Sequence, residues 1–175
     1  FGVAFYGPVA DGPVIHGSSE VALLSVAGMR YVLECVRSFR GRDASTPVIL
    51  MGYLNPVEIR GVATYAAEIA EAGVDGVLLV DLPPEEADEY RAAFSHHRLA
   101  LISLASPTTP RARRERLCAR ADGHLYSVSF AGVTGADRLV VGDGGQRLQQ
   151  PRSLGPAPVF GGVGTPRAAR PRARG

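Results

Sequence analysis

The chain has 175 residues, 46% of them apolar, with a formal net charge of +2, enough for one soluble domain with a sizeable core. Its longest apolar runs, such as Val77–Val80 and Leu99–Leu104, fall far short of the ~18 to 20 residues of a membrane helix. Cys35 and Cys118 form neither a metal spacing nor a redox pair, and every basic residue is Arg, a bias read as coding composition rather than as a nucleic-acid surface. A cytoplasmic protein with reduced thiols, no metal, no membrane and no nucleic-acid partner is expected. Phe1 in place of an initiator Met, with no charged-then-apolar leader, reads as a cut start.

In chain order, a short apolar run, Phe1–Phe5, leads into the turn-rich loop Gly7–Gly17, which holds one acid, Asp11, among two prolines and three glycines. Such a loop aims a carboxylate, although Asp-Gly-Pro by itself is a turn. Val21, Leu24, Met29, Val32, Leu33 and Val36 recur at helical spacing and predict two helical pieces from Gly17 to about Arg40, interrupted near Gly28. Thr46–Met51 is a short β-branched strand, and Val57–Ala72 a helix stopped by Gly73. Val74–Leu82 is the clearest strand, apolar on both faces, as in a sheet covered by helices or a barrel wall.

Pro83-Pro84-Glu85-Glu86 is predicted to open the next helix, with both acids as partners of its dipole rather than as catalysts. Leu99–Leu104 is a strand, Thr108–Ala121 a helix and Gly123–Ser129 a strand. Strand and helix alternate with a period of about 25 residues, a βα repeat and not a sandwich. Beyond Gly142 the composition turns to Gly, Pro, Gln and Arg, with one weak strand signal at Ala157–Phe160. The domain division is 1–140 for the βα part and 141–175 for a degenerate tail holding a remnant strand, its last residues poorly ordered. His16, His96, His97 and His124 converge on no ligand spacing. Asp81 stands at a strand end, where function concentrates, or anchors the loop that follows.

Five segments carry a more specific signal: GPVADGPVIHG (Gly7–Gly17), TPVILMGYLNPVE (Thr46–Glu58), AGVDGVLLVDLPPEE (Ala72–Glu86), ASPTT (Ala105–Thr109) and YSVSFAGVTGA (Tyr126–Ala136). In this order the chain resembles the tryptophan synthase alpha chain family, over about residues 1 to 140. The resemblance implies a (βα)8 TIM barrel, here an incomplete barrel covering about strands two to seven. It also implies a lyase of tryptophan biosynthesis that cleaves indole-3-glycerol phosphate to indole and glyceraldehyde 3-phosphate. No cofactor is implied on this chain; PLP is expected only on a partner, the tryptophan synthase beta subunit.

The same resemblance assigns roles. Asp11 is the carboxylate facing the indole N–H, where positive charge develops when C3 is protonated. Tyr126 lies at the substrate, though on pattern alone it is equally a half-buried core tyrosine. Ile15, Met51 and Leu78 wall the indole pocket, each by itself an ordinary core residue. Thr134 orients Asp11, Gly135 leaves room for phosphate, and Gly162, in Gly161–Pro166, offers it a backbone N–H. Gly7, Tyr53, Asn55 and Pro83 match loops that face the beta subunit. The family's second acid, a proton-shuttling Glu, is implied one position before Phe1, so little lyase activity is expected of residues 1–175 alone. The pattern is lost at both ends, as in a truncated or degraded gene product, and a barrel of this kind takes ~250 residues. Two alternatives stand beside the lyase: a non-catalytic pseudo-subunit that docks on a beta subunit, and another phosphate-binding (βα)8 enzyme.

Overall fold

The computed structural model describes residues 1–3, 17, 28–106, 108–128 and 159–162, the last four by their backbone alone. The first described helix, α1 (Met29–Arg40), turns Val32, Leu33 and Val36 inward, the one-face spacing expected from sequence. Its predicted N-terminal companion lies outside the described residues, as do the turn-rich loop up to His16 and most of the tail.

Strand β1 (Ile49–Gly52) follows and leads into α2 (Asn55–Arg60) and α3 (Val62–Ala72). The sequence predicts one helix here; the chain makes two. Gly61, at φ +81°, closes α2 and opens α3 in a conformation that an L side chain rarely adopts, so the axis breaks there. Pro56 in the first turn of α2 removes an N–H that had no intrahelical partner anyway, which is why this helix starts two residues earlier than expected. α3 stops as predicted at Gly73, left-handed at φ +94°, whose N–H reaches the Ala70 carbonyl while the Val74 N–H reaches Ile69.

Strand β2 (Gly76–Leu79) is buried along its whole length. The turn Pro83–Glu86, closed by the Glu86 N–H on the Pro83 carbonyl, precedes α4 (Ala87–His96), with Glu86 as its N-cap. The first-turn acids are Asp88 and Glu89, so the dipole role expected of Glu85 and Glu86 is corrected. Glu85 lies before the helix and instead accepts from Arg113 at 2.8 Å. The predicted strand 99–104 is divided into β3 (Ala100–Leu101) and β4 (Ser103–Ala105), the chain changing neighbours at Ile102. Pro110 holds an extended ψ of 150° and delays α5 to Arg111–Ala119. Then come β5 (Leu125–Val128) and β6 (Val159–Gly162).

All ladders are parallel. β1, β2 and β3 form one three-stranded sheet, and β4, β5 and β6 another. Gly2 bridges Met51 in parallel, with the Val3 N–H on the Met51 carbonyl at 2.9 Å, placing 1–3 beside β1. Because β3 and β4 are successive pieces of one run, the spatial order is 1–3, β1, β2, β3/β4, β5, β6. Helices α1, α3 and α4 cover one side of the first sheet, where Val36, Leu50, Ile69, Val77 and Phe94 are fully buried, and α5 covers the second, its Leu117 and Cys118 packing on Ala105 of β4 and Leu125 of β5. Among the described connections, β1 to β2, β2 to β3 and β4 to β5 each return through one or more helices, as parallel pairing requires.

Candidate active site

Parallel register sends the C-terminal ends of all the strands to one edge of the wall. The pleat then sorts side chains. Leu50, Val77, Leu79 and Leu101 point at the helices and belong to the core, so Met51 and Leu78, paired at one level, face the other way. On the second sheet Ala105 and Leu125 pack on α5, so Leu104 and Tyr126, paired at the next level along the wall, share that inner face. Leu78 is 3% exposed, whereas Met51 is 41% exposed, a large apolar side chain standing at the open strand end. The Tyr126 phenol is half-buried. These four residues make an apolar inner surface with one hydroxyl, a surface suited to an aromatic ligand.

Three of the residues singled out from sequence, Met51, Leu78 and Tyr126, therefore lie on one face. A fourth, Gly162, ends β6 opposite Val128 at the same edge. Leu104 was not singled out; the alternation Leu101, Ile102, Ser103, Leu104 carries the signal once the faces are known. Asp11, Ile15, Thr134, Gly135 and Gly7 lie outside the described residues.

The loops at the strand ends are tied together. Val80 N–H donates to the Gly52 carbonyl at 3.0 Å, and the Leu54 N–H donates to Asp81 Oδ1 at 2.7 Å. Asp81 thus anchors the loop after the neighbouring strand β1, where the sequence suggested the loop that follows it. Tyr53 is buried at 7%, Asn55 is exposed at the start of α2, and Pro83 is half-buried in the turn before α4. After β4 the Ser106 N–H donates to Thr109 Oγ1 at 2.9 Å, and the Ser106 hydroxyl meets Thr108 Oγ1, so the hydroxyls of the Ser-Pro-Thr-Thr segment close their own turn.

Outside this edge the chemistry is structural. Burial pushes the Tyr65 phenol up to about 12, its ring edge-on to Phe94 at 6.4 Å. Burial lowers His124 and raises Cys118. His96 and His97 meet edge to face, and no three His, Cys, Asp or Glu side chains gather around a metal position among the described residues. An open groove of about 540 Å³ lies between α1, α2 and α3, lined by Met29, Pro56, Ile59, Arg60 and Tyr65, and a cavity of about 30 Å³ lies between the sheet and α4. The smaller one reaches Leu79, the last residue of β2, and Leu82 and Pro84 in the loop after it. No helix among the described residues is long and apolar enough to cross a membrane.

A wall of parallel strands, backed by helices and open at the strand C-termini, defines the (βα)8-barrel class, whose sites sit at that edge. Within it, a family model described as "Tryptophan synthase alpha chain" matches residues 1–171, and the chain belongs to that family. The tryptophan synthase alpha chain of Xanthomonas campestris pv. campestris (strain B100) is 58% identical over 169 residues, which are 96% of this chain and 62% of that protein. Among solved structures, tryptophan synthase subunit alpha from Legionella pneumophila str. Paris superposes with a TM-score of 0.83 at 41% identity, covering 94% of this chain and 60% of that one. A structure of the tryptophan synthase a2b2 complex from Pyrococcus furiosus contains a chain that matches with a TM-score of 0.84 at 33% identity, over 94% and 66%. The chain thus spans less than two thirds of the length of these relatives.

Proposed function

We propose that the inner face at the strand ends is the substrate site of an alpha-chain lyase that cleaves indole-3-glycerol phosphate to indole and glyceraldehyde 3-phosphate. In that reaction the glycerol hydroxyl loses its proton, its electron pair forms the aldehyde, and the C–C bond breaks with its electrons returning to an indole ring already protonated at C3. Asp11 stabilises the charge on the indole nitrogen, and Thr134 orients that carboxylate. Met51, Leu78 and Ile15 wall the ring, Tyr126 contacts the substrate, and Gly135 and the Gly162 N–H accommodate phosphate. The setting is cytoplasmic, which suits two cysteines that are both free thiols.

The observation that carries this reading is the common face of Met51, Leu78, Leu104 and Tyr126 at the strand ends. Binding tests it independently of the shuttling acid. The chain contains no Trp, so ligand indole fluorescence is readable without a protein tryptophan signal. Saturable binding of indole-3-glycerol phosphate is expected. Met51→Glu, at an exposed position, should weaken it about tenfold or more by setting a carboxylate against the ring. In any form that turns over indole-3-glycerol phosphate, Asp11→Asn should lower indole release by about 10²-fold. A wild-type chain that shows no saturable binding sinks the proposal.

A second reading, a non-catalytic subunit that docks on a PLP-bearing tryptophan synthase beta subunit, draws on the partner-facing loops. The Leu54–Asp81 bond sets the Tyr53–Asn55 and Pro83 loops side by side, and Ile59 on α2 is 79% exposed. Co-elution with a beta subunit on size-exclusion chromatography, reduced by Ile59→Glu, supports docking. Separate elution of the two proteins removes it.

A further inference from the structure

Asp81 is an exposed carboxylate, and exposed carboxylates ordinarily spend their charge on water or on a mobile cation. This one accepts a backbone N–H from the next βα unit: Leu54 N to Asp81 Oδ1 at 2.7 Å, across 27 residues of sequence. The bond lies just past the end of the β1–β2 ladder, whose last pair is Gly52 with Leu79, and just past the Val80 N–H on the Gly52 carbonyl. It therefore extends the pairing of two strands by a side chain, at the level where both chains leave the sheet. Leu54 is the N-cap of α2, with αR dihedrals and no side-chain cap bond of its own, so its N–H is free to be held from outside the helix. Met51 is three residues before Leu54, and Leu78 is three before Asp81.

We infer that Asp81 is a positioning residue that pins the end of β1 to the end of β2, holding Met51 and Leu78 as one rigid floor and setting the start of α2 against the loop before α4. The inference deepens the function proposed above, and its value for ligand binding rests on that reading. A carboxylate is the acceptor because charge-assisted bonds to backbone N–H groups are the stronger ones, and because the position is wet. Asn at this position keeps an oxygen acceptor of the same reach; Ala keeps none.

The test uses the full chain in three forms: wild type, Asp81→Asn and Asp81→Ala. Amide exchange at Leu54 reads the bond, and the ¹³C-methyl resonance of Met51 reads the floor; the Leu125 methyl, in the separate cluster on α5, reports any global change. Asp81→Ala is expected to speed Leu54 exchange about tenfold or more and to move the Met51 methyl resonance while Leu125 stays in place. Asp81→Asn is expected to restore most of both. Affinity for indole-3-glycerol phosphate should fall in Asp81→Ala and return in Asp81→Asn. Unchanged Leu54 and Met51 signals in Asp81→Ala overturn the inference, as does a change that shifts Leu125 equally and is not rescued by Asn. If the wild type binds no indole-3-glycerol phosphate, the proposed function fails, while the Leu54 and Met51 signals still decide the role of Asp81.

Discussion

Single residues in this chain do two separable kinds of work, according to which end of the strands they occupy. Asp43, at the N-terminal end, closes an Asx turn: its carboxylate accepts from the Ser45 and Thr46 N–H groups at 2.8 and 2.9 Å and from both hydroxyls. These bonds favour the ionised form, Thr46 most of all, and hold the group far below its ordinary value of 3.8. A folded-state value below the unfolded one means stability that is present above about pH 3.8 and lost as pH falls further. Asp43→Asn should therefore be less stable than wild type at neutral pH and should close on it as the pH drops below that value, read by urea unfolding. A constant gap between the two proteins down to acid would sink this account. Asp11, which the turn-rich loop made prominent in the sequence, lies outside the described residues. The role proposed for it rests on the family resemblance of the five segments taken together, because Ala-Asp-Gly-Pro by itself reads as a turn.

At the scale of elements, the sequence read well where one signal dominates. The all-apolar run around Val77 announced a strand buried along its whole length, and Gly73 announced the stop of α3. It read less well where two signals overlap. The apolar positions Val57 to Ala72 continue at helical spacing through Gly61, so periodicity joins what the backbone divides; only the positive φ shows that the glycine ends one helix and starts another. Pro83-Pro84-Glu85-Glu86 has the composition of a first turn, but α4 starts at Ala87, and the Glu85 carboxylate goes to Arg113 of the neighbouring unit. Long-range ion pairs of this kind leave no local trace. The division of Leu99–Leu104 at Ile102 was hidden for the same reason: β3 and β4 differ in which strand they pair with, and not in composition.

For the whole molecule, Arg40 joins three connections at the base of the wall. From the end of α1 its guanidinium donates to the Gly73 carbonyl at 2.7 Å and the Thr46 carbonyl at 2.7 Å, and it meets Asp75, whose Oδ2 also accepts the Val48 N–H. The side chain is only 17% exposed, so replacing it removes the donor from the half-buried Gly73 carbonyl and leaves Asp75 without its guanidinium. Arg40→Met should cost about 2 to 3 kcal/mol by urea unfolding and leave ligand affinity within a factor of ~2, since this base is the stability face of a barrel and not its site. A loss of affinity without a loss of stability would contradict that separation.

The order of strands and helices, the parallel sheet class and the family follow from the sequence alone. Alternating apolar runs, turn residues and five motifs are local patterns, and local patterns survive being read in one dimension. The sides on which Met51, Leu78, Leu104 and Tyr126 stand, and the joining of Asp81 to Leu54, were decided by the tertiary structure. A pleat fixes faces only once strand register is set, and a bond across 27 residues exists only when two strands lie side by side.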